Sequence, residues 1–346
     1  APSTPNIHIN FAPNMTFSPY QHVSLPSSPT EADTFHNVAE AFSPGDFQHP
    51  LRQSEEPPVG IGGKDEILPS RFSSAFPFSG PLTDVDEFYG RVLEKVTLQT
   101  RTRNGTSTSI VGPRRIGKTW LMRYLMLTAP KEFGPRLRIG YLDATSPHCA
   151  TVASFTAKAL EELAIVGTNR TAQGLSALED GVRDLVLQHY LLVLCIDEFE
   201  GLSGKQGFDL RFLEQLRAVS QVGLVLVVAS KRPLLDVEKA IVNEDLETSP
   251  LHNILPQLLL KPFAVEEAKQ FVKSKGAQAK FTQEEQSRLL QFGGQLPLRL
   301  QLTGRMIEEA KLAAKEDPSH FRPDDPTYWQ EFEQRLEETY RTVVRA

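Results

Sequence analysis

Cysteine is scarce in this chain of 346 residues, which also lacks long apolar runs and long blocks of lysine and arginine. Its two cysteines, Cys149 and Cys195, are too few for a disulfide framework and match no zinc-binding spacing, so a reducing cytoplasm is the expected location. No apolar stretch reaches the length of about 18 residues that a membrane span needs, so none is expected. Residues 1–30 are polar and contain several prolines, so no signal peptide is expected either.

Charge is distributed unevenly along the sequence. The net charge is −6, and residues 1–60 contain six acidic residues and one arginine. The remaining residues are therefore close to neutral, and their overall field gives no argument for nucleic-acid binding. A local basic patch stays open as an alternative.

The composition of residues 1–80 differs from that of the rest. This stretch contains nearly half of the 25 prolines and few helical patterns. We interpret it as a Pro-rich N-terminal arm that is either flexible and peripherally docked, or pairs with a neighbouring subunit or a partner. Its aromatic residues are numerous for a solvated linker: Phe11, Phe17, Tyr20, Phe35, Phe42, Phe47 and Phe72.

Residues 112–119 read G-P-R-R-I-G-K-T and fit the phosphate-binding loop G-x-x-x-x-G-K-[ST]. A β-prone run precedes this loop and a helical run follows it, which is the order that the motif requires. Lys118 would contact the β and γ phosphates, and the hydroxyl of Thr119 would bind Mg²⁺. The predicted nucleotide contacts here are Gly112, Pro113, Arg114, Arg115, Ile116, Gly117, Lys118, Thr119 and Trp120. Phosphate geometry does not require Arg114 and Arg115, which could instead face solvent, a partner or a neighbouring subunit's nucleotide.

Residues 190–198 form an apolar run that ends in two acids, Asp197 and Glu198. Such a run predicts a strand buried on both faces of a parallel sheet. Ligands bind at the carboxyl ends of such strands. Asp197 is therefore predicted to hold Mg²⁺, and Glu198 to orient or deprotonate the attacking water.

Predicted strands alternate with predicted helices, which indicates an α/β fold with a parallel sheet. The strands are predicted at 106–111, 138–144, 190–198, 223–229 and 257–260. The helices are predicted at 84–98, 120–126, 152–163, 175–189 and 208–220, then at 265–275, 283–292, 296–314 and 325–344. We therefore expect a P-loop NTPase sheet sandwiched by helices at 81–261, and a C-terminal helical lid at 262–346. The last helix carries an apolar stripe that predicts core packing or, alternatively, a partner-binding face: Trp329, Phe332, Leu336, Tyr340 and Val343.

Just upstream of the phosphate loop, residues 88–94 fit F-x-G-R-x-x-E. Together with the loop and the acid pair, this element makes residues 82–310 resemble archaeal-type ATPases and the STAND signalling ATPases of the AAA+-like branch. The resemblance implies that Phe88, Gly90 and Arg91 line the adenine side. It also implies that Ser230, followed by Lys231 and Arg232, reads the γ-phosphate. Pro297 would contact nucleotide from the lid, and Arg299 is a possible second sensor.

Two functions follow as expectations. The first is a Mg²⁺-dependent switch that binds and hydrolyses ATP, turns over slowly unless a partner stimulates it, and controls protein assembly or signalling. Its partners would be ATP, ADP, and another protein or further copies of the chain. The second is a nucleic-acid-associated ATPase, motivated by a run of arginines: Arg101, Arg103, Arg114, Arg115 and Arg123. A module that binds nucleotide without hydrolysis is disfavoured by the acid pair, and a GTPase by the absence of an N-K-x-D element.

Overall fold

The computed structural model describes residues 74–78, 80–166, 174–242 and 251–345. All of them belong to one compact unit, Pro69–Ala346. The expected N-terminal arm therefore lies almost wholly outside the described residues. The predicted domain boundaries at residues 81 and 262 remain predictions.

Helices alternate with strands along the first two thirds of the described residues, and helices alone follow. The strands are β1 (Thr108–Val111), β2 (Leu137–Asp143), β3 (Leu191–Asp197), β4 (Leu224–Ser230) and β5 (Gln257–Leu259). The helices that alternate with them are α1 (Val92–Arg103), α2 (Lys118–Phe133), α3 (Val152–Glu162), α4 (Ser176–Leu187), α5 (Leu210–Gln221) and α6 (Leu234–Val242). The C-terminal helices are α7 (Val265–Gln278), α8 (Gln283–Gly293), α9 (Pro297–Ala313) and α10 (Pro326–Arg345).

The five strands form one parallel sheet in the order β2-β3-β4-β1-β5. In its register, Asp143 lies beside Asp197, and Val111 lies beside Ser230. Because the strands are parallel, their carboxyl ends meet at one edge, and the residues that follow β1, β3 and β4 come together there. The predicted parallel sheet is confirmed.

Alternate residues of the central strands face two separate cores, as the two-residue period of a strand requires. In β3, Leu192, Leu194 and Ile196 pack with α3–α6, whereas Val193 and Cys195 pack with α1 and α2. Burial raises the pKa of Cys195 to about 12, so its thiol stays neutral and packs as an apolar group. Helices thus cover both faces of the sheet, as predicted.

The C-terminal helices α7–α10 surround a third core. The apolar stripe of α10 belongs to it: Trp329, Phe332 and Leu336 are buried, and Tyr340 and Val343 pack partly against them. The stripe therefore packs in the core and is not an exposed partner-binding face.

Residues 74–78 pack against the same helices. Phe76 is fully buried, and its ring lies against Gly304 of α9 so closely that any Cβ at residue 304 would collide with it. The hydroxyl of Ser74 donates to Glu308, one turn further along α9. We call residues 74–78 the clasp.

Two sequence-based assignments need correction. The helix predicted at 84–98 is wrong in its first half, because Val85–Glu87 is a 3-10 turn and α1 begins only at Val92. Gly90 and Arg91 have φ angles of 65° and 58°, in the left-handed region that interrupts a right-handed helix. Helix α6 was not predicted.

No described helix combines the length and apolar character that crossing a membrane would require.

Candidate functional site

The loop between β1 and α2 depends on its glycines. Gly117, immediately before α2, has a φ of 106°, which favours glycine. A Cβ at Gly112 would lie 2.9 Å from the carbonyl oxygen of Leu260, so a side chain there would displace the backbone. Arg115 also adopts a left-handed conformation, and Arg114 and Arg115 are exposed, whereas Ile116 is buried. The loop therefore curls tightly at the first turn of α2, where helix N–H groups favour an anion.

Lys118 is buried at the start of α2. Its Nζ donates to the carbonyl oxygens of Gly112 at 3.0 Å and Pro113 at 3.1 Å. Burial lowers its pKa, and the nearby carboxylates of Glu198 and Asp197 oppose that shift. A desolvated ammonium held inside the loop can exchange these carbonyls for phosphate oxygens.

Asp197 lies at the end of β3 and accepts three hydrogen bonds. Its Oδ2 accepts from the hydroxyl of Thr119 at 2.5 Å and from that of Tyr141 at 3.1 Å, and its Oδ1 accepts from the backbone N–H of Glu198 at 2.9 Å. Burial raises the pKa of Asp197, although these bonds act in the opposite direction. Carboxylate and hydroxyl oxygens are donors that Mg²⁺ accepts, so Thr119 and Asp197 fit the predicted metal site.

The described residues contain no cluster of three or more His, Cys, Asp and Glu side chains that could hold a metal.

Glu198 lies one residue beyond β3 in a left-handed conformation, with a φ of 47°. The Nζ of Lys231 lies 2.8 Å from its Oε2 and 3.4 Å from Oε1 of Glu200. Burial alone would lower the pKa of Lys231, but the two carboxylates raise it above its ordinary value. The predicted catalytic acid is thus paired with a cation from the end of the neighbouring strand.

A cavity of about 610 Å³ extends from this loop to the C-terminal helices. Lys118, Thr119, Glu198 and Lys231 line it, together with Arg114 and Arg115. Proline and aromatic side chains also line it, among them Pro77, Phe78, Phe88, Tyr89, Phe263 and Phe271. The cavity therefore offers charged groups for phosphates and apolar walls for a flat ring.

The structure brings two of the three predicted adenine-side residues to this cavity. Phe88 lines it beside Trp120, with their ring centroids 6.2 Å apart. Arg91 is buried, donates to the carbonyl oxygen of Ile116 at 3.2 Å, and lies 5.0 Å from the centroid of Phe263. Gly90 packs against Glu267 and is not among the lining residues.

At the end of β4, the structure brings Lys231 to the cavity rather than Ser230 or Arg232. Ser230 is fully buried, and its hydroxyl donates to the carbonyl oxygen of Arg232 at 2.7 Å. Arg232 is exposed and does not line the cavity. Lys231 and Arg232 lie beyond the end of β4 in a bend, so the conformation of that bend, and not strand alternation, brings Lys231 alone to the cavity.

In the C-terminal helices, Pro297 lines the cavity at the first residue of α9. Arg299 does not line it, because its Nε donates to the carbonyl oxygen of Phe292 at 2.6 Å and its Nη1 pairs with Glu337 of α10. The predicted second sensor thus connects α9 to neighbouring elements in this structure.

The sequence analysis did not assign several of these residues to the site. Tyr141 carries no motif, and Pro77 and Phe78 of the clasp fall in the segment assigned to the arm. Arg123 also lines the cavity, with its guanidinium carbon 3.9 Å from the ring centroid of Tyr141. Gln301 lines it as well, and it had a usable signal, because it follows Pro297 by four residues and so shares its helix face.

Comparison with known proteins adds an independent observation. Residues 100–234 match the family described as the AAA domain. No curated protein matches the sequence.

Among solved structures, the Walker-type ATPase PABY2304 of Pyrococcus abyssi is similar, with a TM-score of 0.56 and 16% identity over 78% of this chain and 77% of that one. The ORC2 protein of Aeropyrum pernix in its ADPNP–ADP complexes has a TM-score of 0.53 and 15% identity over 77% of this chain and 71% of that one. At these identities the likeness establishes a shared fold.

Proposed function

We propose that this chain, a P-loop ATPase of the AAA+-like class with an AAA domain at residues 100–234, is a Mg²⁺-dependent molecular switch that binds and hydrolyses ATP. The supporting observation is one cavity in which the phosphate loop, Glu198 and Pro297 of α9 all take part. The ORC2 protein, which shares the fold, has been solved with ADPNP and ADP. A ligand that contacts both the sheet and the C-terminal helices can change the position of one relative to the other.

Each site residue has a defined task in this proposal. Lys118 binds the β and γ phosphates, and the loop N–H groups hold the phosphate oxygens. Thr119 and Asp197 would hold Mg²⁺, which supplies charge neutralisation at the phosphates when it is bound. Glu198 orients the attacking water and accepts its proton.

Lys231 gives the switch a physical basis. Its Nζ is shared between Glu198 and Glu200, at 2.8 and 3.4 Å. The oxygens of a γ-phosphate would compete for this ammonium, and its departure would free the Glu198 carboxylate to act on water. ADP has no γ-phosphate, so Lys231 would stay with the carboxylates. This difference in contacts between ATP and ADP is what a nucleotide-driven change requires.

The test is Glu198→Gln, which keeps the size of the side chain and removes its basicity. We expect ATP binding to persist, while turnover falls by about 100-fold or more, the range of a general base. Glu161→Gln on α3 is the control, because Glu161 is largely exposed and outside the cavity. Wild-type turnover in Glu198→Gln would refute this mechanism.

The output that we propose is nucleotide-dependent assembly, either with a protein partner or with further copies of the chain. Light scattering of the full chain with ATP, and separately with ADP, measures this directly. A nucleotide-dependent mass supports self-assembly. An unchanged mass excludes it and leaves a separate protein partner as the output.

A nucleic-acid-associated ATPase is the second candidate. Arg114 and Arg115 are exposed at the cavity and support it. Arg101 and Arg103 contribute less, because they donate to the carbonyl oxygens of Pro256 and Glu132 within the fold, both at 3.1 Å. Binding of DNA or RNA that weakens steeply with added salt would support this function. Absence of binding at low salt would remove it.

A further inference from the structure

Tyr141 of β2 is hydrogen-bonded to one of the two predicted metal ligands. Its hydroxyl donates to Oδ2 of Asp197 at 3.1 Å, and the same oxygen accepts from the hydroxyl of Thr119 at 2.5 Å. Asp197 is only 3% exposed, so little water reaches its carboxylate. Two hydroxyls and the backbone N–H of Glu198 therefore hold this carboxylate in its orientation.

The sheet register explains how Tyr141 reaches Asp197. Tyr141 lies beside Cys195 of the neighbouring strand, and Asp197 follows Cys195 by two residues. Because side chains alternate along a strand, all three lie on the same face of the sheet. Asp197 is thus a diagonal neighbour of Tyr141, within reach of an aromatic side chain. A short side chain at residue 141 could not make this contact.

Two further contacts fix Tyr141 in place. The guanidinium carbon of Arg123 lies 3.9 Å from the centroid of its ring, which is a cation–π contact. The backbone N–H of Tyr141 donates to Oε2 of Glu162 at 3.3 Å. Arg123 follows Thr119 by four residues on α2, so the two lie on the same side of that helix. Helix α2 therefore carries both a predicted metal ligand and the residue that holds the ring.

We propose that Tyr141 is a positioning residue for Mg²⁺ and acts through Asp197. This inference rests on the proposed binding of nucleotide and Mg²⁺ at the phosphate loop. Tyr141 is not among the residues that line the cavity, so its effect on the ion is indirect. Residues that hydrogen-bond to a ligating carboxylate orient it, and their loss typically weakens metal binding by about 10–100-fold.

The test is Tyr141→Phe, which keeps the ring and removes the hydroxyl. Calorimetry on the full chain measures the dissociation constant of ADP in excess EDTA and in excess Mg²⁺. In EDTA the variant should bind ADP within about 2-fold of the wild-type protein, because Lys118 and the loop N–H groups remain. The ratio of the EDTA constant to the Mg²⁺ constant should be about 10-fold smaller in the variant.

Tyr190→Phe is the matched control. Tyr190 directly precedes β3, at the end of the strand opposite Asp197, and does not line the cavity. It is half-buried like Tyr141, and the guanidinium carbon of Arg138 lies 5.2 Å from the centroid of its ring. The ratio of the two constants should keep its wild-type value in this variant. An equal fall of the ratio in both variants would overturn the proposal.

The two ADP constants also separate this inference from the proposed function. An unchanged ratio in Tyr141→Phe would overturn the role of Tyr141 and leave nucleotide binding intact. Equal weakening in EDTA and in Mg²⁺ would overturn it too, because that result marks a structural role unrelated to the metal. If the wild-type protein binds ADP in neither condition, the proposed nucleotide function fails and this inference fails with it.

Discussion

At the scale of single residues, the neighbouring cations Lys231 and Arg232 differ in their position relative to the cavity. Lys231 lines the cavity and contacts Glu198, whereas Arg232 is exposed and lies outside it. Their separation arises in the bend at residues 231 and 232, just beyond the end of β4. A contact with the γ-phosphate is therefore open to Lys231 and not to Arg232 in this arrangement.

Lys231→Met should reduce the preference for ATP over ADP, because it removes the ammonium that would distinguish them. One charge-assisted hydrogen bond corresponds to about a 10-fold change in the ratio of the two dissociation constants. Calorimetry with a non-hydrolysable ATP analogue and with ADP measures that ratio. Arg232→Met is the matched control, and a change of the ratio in Arg232→Met alone would contradict the assignment.

At the scale of secondary-structure elements, α9 has three functions. Pro297 and Gln301 face the cavity, Arg299 contacts Glu337 of α10, and Gly304 receives the ring of Phe76. The clasp also continues into the cavity wall through Pro77 and Phe78. Helix α9 therefore connects the cavity with the clasp.

The contact between Phe76 and Gly304 predicts opposite effects of one substitution in two backgrounds. Gly304→Ala should lower the free energy of unfolding by about 1–3 kcal/mol, because the added methyl collides with the ring. In a Phe76→Ala background the same change should raise it by up to about 1 kcal/mol, through better helix propensity. Denaturant unfolding of the four proteins measures this coupling. Equal effects in both backgrounds would show that the ring is not there.

Helix α7 contains a buried lysine. Lys275 is 8% exposed, and burial lowers its pKa, while Glu87, Asp86 and Asp84 act in the opposite direction. Since the pKa is lower in the folded protein, the charged form opposes folding at neutral pH. This cost should disappear as the pH rises through the folded pKa toward the ordinary value of 10.5.

Lys275→Met should therefore raise the free energy of unfolding at pH 7, with a smaller gain as the pH approaches 10.5. Urea unfolding at several pH values measures the difference from the wild-type protein. Lys273→Met on the exposed side of α7 is the control and should change little. A gain of equal size in both variants would point to the added methionine rather than to the buried charge.

Local patterns predicted much of the fold. Strands β3 and β4 could be predicted from their continuous apolar runs, and the phosphate loop at 112–119 could be predicted from its motif. The helix boundary at Val92 was missed because it depends on the left-handed conformations of Gly90 and Arg91. The clasp was missed because its role comes from packing between distant segments, whereas Gln301 follows Pro297 by four residues on the same helix and could have been identified. The roles of the individual site residues remain predictions until they are tested.

At the scale of the whole molecule, the cavity joins the sheet to the C-terminal helices. A nucleotide bound there should stabilise both together, since a ligand at 100 times its dissociation constant adds about 2.7 kcal/mol. We expect ADP with Mg²⁺ to raise the melting temperature of the wild-type chain by several degrees.

Lys118→Met should abolish this increase, because Lys118 is the buried cation of the phosphate loop. Scanning calorimetry at several ADP concentrations measures the effect, and Lys131→Met at the exposed end of α2 is its control. A concentration-dependent increase of wild-type size in Lys118→Met would place ADP binding elsewhere in the molecule.

The strand order has a consequence for the time at which the site forms during synthesis. Strand β1 carries the phosphate loop but pairs only with β4 and β5, which begin at residues 224 and 257. A growing chain that emerges at about 5–20 residues per second has made the loop many seconds before either neighbour exists. The phosphate loop is therefore synthesised before the two strands that flank β1 in the sheet. The α9 residues that line the cavity, among them Gln301, are synthesised after both strands.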